Sequence, residues 1–301
     1  MIYDIVILTD RRYEKPENTD WYIDQILLED GLVQKALEER GLKVVRKSWD
    51  TKDFDWSKVR YAIFRSTWDY FDRFEEFFTW FEKTRKVLHF INCPEIIYWN
   101  LDKHYLKDLK KLQINIPNTI FIEKGETQSL KAMFEKTKWD KAVLKPAIAG
   151  AARETFLISK KDFNVYEKDL KRLIEHEAML FQEFQHQIQF RGEMSLMMID
   201  GKYTHAVLKK AKAGDYRVQD DFGGSVEDYF PNEKEIKFAE KAIAACPNQT
   251  LYGRVDIFYD NNNELSLGEL ELIEPELWFR NYPSAANQLA EAISNKYIFV
   301  K

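Results

Sequence analysis

Three carboxylates and an arginine near the C-terminal end of the sequence have the spacing of a metal and phosphate site. Asp256 lies in one apolar run, and Glu269 and Glu271 lie in the next. The turn at residues 260–263 predicts a hairpin, so all three side chains can project from one side of a sheet. Arg254 points the same way. Such oxygens suit Mg²⁺ on a polyphosphate, and a guanidinium suits developing negative charge. A solvated acidic hairpin is the alternative.

The first hundred residues alternate strand and helix patterns, which predicts a parallel sheet with helices on its faces. Polar residues cluster just after the strands, where ligands bind in open α/β sheets. We therefore predict that substrate contacts come from this edge. The candidates are Asp10, Arg11, Ser66, Thr67 and Asp69. The alternative is that Asp10 and Ser66 only cap helices and that Trp68 belongs to the core.

The next part of the chain contains the components of a nucleotide site. Lys103 precedes a predicted helix, and Lys145 ends an apolar strand before a loop of small residues that includes Gly150. Two cations and a loop of backbone amides suit a triphosphate. The extended run Gln182, Glu183 and Phe184 can pair with an adenine edge through its backbone. Glu193 is a candidate for a ribose hydroxyl.

This ordered set of motifs resembles the ATP-grasp ligases, the superfamily of glutathione synthetase, D-alanine–D-alanine ligase and the RimK-type ligases. The resemblance implies an α/β (α+β) fold. It predicts a Rossmann-like substrate domain over residues 1–100, a small lid subdomain over 101–185, and a C-terminal subdomain with the metal site over 186–301. ATP is then held between the last two units, with Mg²⁺, expected as two ions, or Mn²⁺ in its place.

The resemblance also implies roles for a basic stretch that would otherwise be read as a surface loop. Lys209 and Arg217 correspond to positions that contact phosphate and a substrate carboxylate, beside Arg254. This sequence departs from the family pattern in three places. Glu271 stands where asparagine is usual, Ser195 where many members have arginine, and the phosphate loop keeps only Gly150. Two consequences of the missing glycines stay open: a stiffer lid, or Arg153 replacing some backbone contacts with a side-chain contact.

Within the superfamily, the motifs are most similar to the glutathione-synthetase-like group that includes the cycloserine-forming O-ureido-serine cyclo-ligase. The resemblance implies activation of a carboxylate, or an equivalent oxygen, of an amino-acid-like substrate as an acyl phosphate. An amine or other nucleophile then displaces phosphate. Two alternatives stay open, a small-molecule kinase on the same fold and a non-catalytic nucleotide-binding scaffold.

Composition limits the other possibilities. A net charge of −5 and a pI near 5.7 give no basic footprint for nucleic acid. The sequence shows neither a signal peptide nor an apolar run long enough to span a bilayer, so we expect a cytoplasmic protein with a small-molecule partner. Cys93 and Cys246 form neither a zinc motif nor a disulfide framework. Trp80, Trp278 and Phe279 are expected in the core, with a homodimer face as the alternative.

Overall fold

The predicted parallel sheet is present in the N-terminal part of the chain. The computed structural model describes residues 2–150, 152–212 and 223–298. The strands of the first sheet are β1 (Tyr3–Thr9), β2 (Val44–Ser48), β3 (Val59–Ser66) and β4 (His89–Ile91). Its helices are α1 (Arg11–Glu14), α2 (Trp21–Glu38), α3 (Phe74–Thr84) and α4 (Pro94–Leu101). All pairings are parallel, in the order β2-β1-β3-β4.

Alternate residues of β1 face opposite sides of this sheet, as a strand period of two requires. Ile5 and Ile7 pack with α2 and with a helix from the C-terminal end of the chain. Val6 and Leu8 pack with the aromatic residues of α3. The side chain of Asp20 caps the start of α2 by accepting a hydrogen bond from the Ile23 N–H at 2.8 Å. The sheet is therefore buried on both faces.

The second sheet is antiparallel and carries its own small core. Its strands are β5 (Thr119–Ile122), β6 (Lys141–Pro146), β7 (Phe156–Ser159) and β8 (Met179–Glu183), in the order β5-β8-β6-β7. Helices α6 (Leu130–Thr137) and α7 (Glu167–Ile174) cover one face through residues such as Phe134 and Leu170. Helix α5 (Tyr105–Lys111) precedes this sheet, beginning two residues after Lys103.

The third sheet is also antiparallel and has the order β11-β10-β9-β12-β13. Its strands are β9 (Glu193–Ile199), β10 (Lys202–Lys210), β11 (Ser225–Tyr229), β12 (Tyr252–Tyr259) and β13 (Leu265–Glu271). Helices α8 (His186–Arg191), α9 (Glu233–Ala244) and α10 (Ser284–Ile293) accompany it, followed by a π-helical turn, Ser294–Ile298. Among the described helices, none combines the length and apolarity needed to span a membrane.

Two features of the third sheet bear on the expectations from sequence. The basic stretch that resembled a surface loop begins inside β10, and Lys209 is buried there at 5% exposure. Arg217 lies outside the described residues, so its role stays a prediction. The aromatic residues Trp278 and Phe279 are buried in the core, as expected.

The chain packs across the predicted domain boundaries. Helix α5, predicted to belong with the lid, packs through Leu106 and Leu109 against the third sheet. Helix α10 returns to pack on α2 of the N-terminal unit, where Leu289 joins the same core as Ile5. The three sheets fall within the predicted ranges, but α5 packs on the third sheet and α10 joins the C-terminal unit to the first sheet.

Asn92, just after β4, connects the first and third sheets through a fully buried amide. Its Nδ2 donates to the carbonyls of Tyr252 at 2.9 Å and Leu272 at 2.8 Å. Its Oδ1 accepts from the Leu251 N–H at 2.6 Å. A single side chain therefore satisfies three backbone groups that have no access to water.

Substitution Asn92→Ala is expected to lower the free energy of unfolding by about 3 kcal/mol, because buried groups left without partners cost ~1–3 kcal/mol each. Urea unfolding followed by tryptophan fluorescence measures the change. The matched control is Asn262→Ala, at an exposed position of the β12–β13 turn, which should change stability by less than ~0.5 kcal/mol. Equal stabilities for the two variants would show that the Asn92 amide does not hold the sheets together.

Candidate functional site

A cavity of about 350 Å³ lies where the three sheets approach one another. Strands β6 and β8 supply one wall, and strands β9, β10, β12 and β13 supply the facing wall. The loop after β3 contributes aromatic residues at one end. The cavity brings together the following predicted residues: Lys103, Lys145, Gly150, Gln182, Glu183, Phe184, Glu193, Lys209, Arg254, Asp256, Glu269 and Glu271.

The β12–β13 hairpin places the predicted metal ligands opposite one another. In its register Arg254 pairs with Glu271 and Asp256 pairs with Glu269, so all four side chains share one face. The turn is held by Asp260, whose Oδ1 accepts hydrogen bonds from the backbone N–H groups of residues 262 and 264 at 2.8 and 2.9 Å. The turn therefore brings acids that are separated along the sequence into one cluster.

Three cations hold these acids in the described structure. Arg254 contacts Asp256 through hydrogen bonds of 2.9 to 3.1 Å and also contacts Glu271. Lys209 Nζ lies 3.2 Å from Asp256. Lys103 Nζ lies 3.0 Å from Glu269. Paired charges of this kind are the usual condition for burying so many ionised groups together.

The surroundings shift the pKa values of Asp256 and Glu271 in opposite directions. Burial acts to raise the pKa of Asp256, but Arg254 and Lys209 outweigh it and hold that pKa far below its usual range. Burial and the nearby Glu269 and Asp256 raise the pKa of Glu271 to about 8, against the opposing effect of Arg254. The crowding of acids on the hairpin therefore disfavours the ionised form of Glu271.

An all-oxygen donor set fits a hard divalent cation such as Mg²⁺. Within the described ranges, however, no three Asp, Glu, His or Cys side chains are arranged to hold one ion together. The carboxylates of Asp256, Glu269 and Glu271 face the three cations instead. Metal binding by this set stays a prediction.

Lys145 differs from the other cations of the cavity. Its ammonium forms no hydrogen bond or ion pair within the part of the chain that the structure describes. Burial lowers its pKa and outweighs the nearby Glu269, which acts to raise that pKa, while Lys103 acts in the same direction as burial. Lys103 Nζ is already bound to the Ala149 carbonyl at 2.5 Å as well as to Glu269. Lys145 is thus the better placed of the two to gain from an anionic ligand.

Glu193 at the start of β9 pairs with the buried Lys209 near the end of β10, with 2.5 Å between Nζ and Oε1. Burial acts to lower the pKa of Lys209, but Asp256 and Glu193 outweigh it and raise that pKa. The ammonium is therefore kept charged beside the acidic hairpin. The contact between Glu193 and a ribose stays a prediction, because this carboxylate is paired with Lys209.

The extended segment predicted to meet adenine is largely occupied by hydrogen bonds within the protein. The Glu183 N–H donates to the Asn118 carbonyl at 2.9 Å, and the Phe184 N–H donates to the Lys141 carbonyl at 3.2 Å. The carbonyls of Glu183 and Phe184 accept from Gln185 and Asn261 side chains, and a carbonyl can accept a second bond. Adenine recognition by Gln182, Glu183 and Phe184 remains a prediction that rests on these carbonyls.

None of the five predicted substrate residues is in the lining of this cavity. Asp10 is bound to Arg12, and the exposed Arg11 pairs with Asp50 at 2.9 Å. Ser66 bonds to Thr9 and Asp30. Asp69 accepts from Trp49 at 2.7 Å and Thr67 is fully buried. Apart from Thr67, whose buried hydroxyl has no hydrogen-bond partner among the described residues, their polar groups are bonded inside the N-terminal unit. Their contact with substrate stays a prediction.

Residues between and beside the predicted ones reach the cavity instead. Trp68, Tyr70 and Phe71 line it from the same loop, and Glu274 and Glu276 line it from the segment after β13. The signal for them is the run of aromatic residues after β3, a composition that is equally typical of core. The Trp68 Nε1–H donates to the Glu274 carbonyl at 2.9 Å, which fixes this loop against the segment that follows the acidic hairpin.

The sequence matches two families of known proteins. Residues 105–260, more than half of the chain, match the family described as prokaryotic glutathione synthetase, ATP-grasp domain. Residues 5–92 match the family described as D-cycloserine synthetase DcsG, N-terminal domain. A similar curated protein is the cycloserine biosynthesis protein DcsG of Streptomyces lavendulae. It is 24% identical over 277 residues, which cover 87% of this chain and 91% of that protein.

Solved structures show the same fold. The crystal structure of D-cycloserine synthetase DcsG matches with a TM-score of 0.84 and 22% identity, covering 97% of this chain and 99% of that chain. The D-alanine–D-alanine ligase from Bacillus anthracis matches with a TM-score of 0.64 and 15% identity, covering 97% and 96% of the two chains. The predicted fold class, a parallel-sheet N-terminal domain followed by two α+β subdomains, is therefore confirmed, and the sheets of the two subdomains are antiparallel.

Proposed function

Because the chain belongs to the prokaryotic glutathione synthetase ATP-grasp family, we propose that it activates the carboxylate of an amino-acid-like substrate as an acyl phosphate. An amine or another nucleophile then attacks the carbonyl carbon, and phosphate leaves. The chain is an ATP-dependent ligase. The observation that supports the proposal most is the cavity in which Lys145, Arg254 and the acidic hairpin face one another.

ATP would lie between the second and third sheets, in the part of the cavity that Lys103, Lys145 and the loop around Gly150 line. The two ammonium groups would balance phosphate charge. Mg²⁺ held by Asp256, Glu269 and Glu271 would supply charge neutralisation at the outer phosphates. The protein itself contributes position and fixed charge, which is the main requirement of phosphoryl transfer.

Arg254 and Lys209 are proposed to stabilise the charge that develops as the acyl phosphate forms and breaks down. Both are buried, with 8% and 5% of their surface exposed, so water screens them weakly. Both also lie beside the Trp278 ring, at 5.2 and 5.9 Å from its centroid. Their positions are therefore fixed before substrate arrives, which is what electrostatic stabilisation of a transition state requires.

The substrate class is proposed from the end of the cavity that carries Trp68, Tyr70, Glu274 and Glu276. Acids beside aromatic faces suit a group with a positive charge, such as the ammonium of an amino acid. Burial raises the pKa of Glu274 to about 7, and the Tyr70 hydroxyl donates a hydrogen bond to it. The similarity to a cycloserine biosynthesis protein supports an amino-acid derivative as the substrate.

The test is to measure ADP and phosphate release with Mg²⁺-ATP across amino acids, O-substituted serines and dipeptides, each alone and with candidate amines. Release that depends on one acid, together with a condensed product lighter by one water, would support ligation. A stable phosphorylated product would favour the kinase alternative. Nucleotide binding without turnover on any substrate would favour the scaffold alternative.

A further inference from the structure

Gly150 in the loop after β6 lies against a residue of the N-terminal unit. A Cβ built on Gly150 would be 2.5 Å from Cε1 and 2.9 Å from Cδ1 of the Phe71 ring. Those distances are far inside van der Waals contact. No side chain larger than hydrogen fits at position 150 while the ring stays where it is.

Backbone conformation does not explain why position 150 is glycine. Gly150 is absent from the residues with positive φ, whereas Ala152 and Glu154 in the same loop have φ of 55° and 46°. The left-handed region favours glycine, so backbone freedom would place glycine at 152 or 154. The glycine of this loop instead lies at position 150, where the Phe71 ring leaves no room for a Cβ atom. Room for the ring is therefore the requirement at position 150.

The Phe71 ring is itself held firmly. It is 8% exposed and packs edge-on against Tyr70 with 5.4 Å between ring centroids. The segment around it is fixed at both ends. Trp68 bonds the Glu274 carbonyl, and Asp69 bonds the Arg73 guanidinium at 2.8 Å. The ring thus acts as a fixed surface against which the loop rests.

Two other side chains hold the loop through its carbonyls. Lys103 bonds the Ala149 carbonyl at 2.5 Å, and Arg153 bonds the Ile148 carbonyl at 2.9 Å while pairing with Glu177. Both belong to the same half of the chain as the loop. Phe71 differs because it comes from the N-terminal unit that also lines the acidic end of the cavity.

We propose that Phe71 is a positioning residue that sets the height of the Gly150 loop over the triphosphate and connects the N-terminal unit to ATP binding. Gly150 supplies the space for that contact. The inference rests on the proposed function, since it takes this loop to cover the phosphates. It predicts that changes at positions 71 and 150 act through one contact and are not independent.

The experiment is a double-mutant cycle with Gly150→Ala, Phe71→Ala and the double variant, measuring the Kd for Mg²⁺-ATP by calorimetry and KM against kcat. Each single change is expected to raise Kd and KM for ATP about tenfold, because overpacking or loss of support displaces the loop. The double variant should be no weaker than Phe71→Ala alone, since the added methyl then meets no ring. Phe71→Leu should retain most of the affinity, and kcat should change less than KM.

A readout without nucleotide separates this inference from the proposed function. Hydrogen exchange of amides in residues 147–155 should become faster in Phe71→Ala than in the parent protein. Phe230→Ala is the matched control, because it removes an exposed ring outside the cavity lining, just after β11, and should leave exchange in this loop unchanged. Independent, multiplying effects of the two single changes, or unchanged exchange in Phe71→Ala, would overturn the inference. Failure of the parent protein to bind ATP would overturn the proposed function, and the exchange experiment would still test the contact.

Discussion

Substitution Glu269→Gln is expected to reduce kcat for ATP-dependent ligation by about 10²–10³-fold with little change in thermal stability. Glu269 lies directly across the hairpin from Asp256 and is the acid of the cluster that Arg254 does not hold. The amide keeps the shape of the side chain but removes the charge that a divalent cation requires. The substitution should therefore lower kcat much more than it lowers the thermal stability.

Initial rates of ADP release at several Mg²⁺ concentrations would measure this effect. Partial recovery at high Mg²⁺ would support a role in metal binding. Glu264→Gln is the matched control, because Glu264 is 67% exposed and lies on the same hairpin, 3.6 Å from Lys234. It should leave the rate unchanged. A Glu269→Gln enzyme with the kcat of this control would remove Glu269 from the metal site.

Substitution Lys145→Met is expected to lower kcat/KM for ATP by about 100-fold, since it removes a half-buried cation from the phosphate region. The same substitution should leave the stability of the folded protein unchanged or increase it. An ammonium that lies in the cavity without an ion pair to the described residues destabilises the folded state, and burial lowers its pKa. Methionine keeps the length of the side chain without the charge, so Tm should stay equal or rise.

Parallel measurement of Tm and ATP kinetics tests both halves of this prediction. Lys161→Met provides the control, because Lys161 is an exposed lysine in the turn after β7 of the same sheet. Neither Tm nor kcat/KM should change much there. A fall in Tm for Lys145→Met would mean that the ammonium stabilises the fold, and unchanged kinetics would mean that it does not meet phosphate.

Local patterns in the sequence are sufficient to predict the strands that carry the site. The period of two in β12 and β13, and the turn between them, are enough to place Asp256 and Glu269 on one face. The resemblance to the ATP-grasp ligases implies a parallel-sheet domain and two further α+β subdomains, and the described residues form three sheets. Helix α9 was not among the predicted elements, although its capping box of Asn232 and Glu235 is a readable signal.

Tertiary structure alone decided which residues beyond β3 reach the cavity. Ser66, Thr67 and Asp69 were predicted to contact substrate, which stays a prediction, whereas Trp68 and Tyr70 line the cavity. That choice depends on the hydrogen bond from Trp68 to the Glu274 carbonyl, between residues that lie 206 positions apart. Local periodicity cannot report such a contact, since an irregular loop has no fixed alternation of faces.

Local patterns in the sequence also do not predict which charged groups pair with one another or which side chains pack together. The sequence determined that cations and carboxylates occur in the right order, because motif spacing is a local property. Only the folded chain decided that Arg254 and Lys209 pair with Asp256 while Lys145 has no ion pair among the described residues. It also decided that Gly150 gives room to Phe71. Both outcomes come from packing between distant segments, where distance in space is unrelated to distance along the chain.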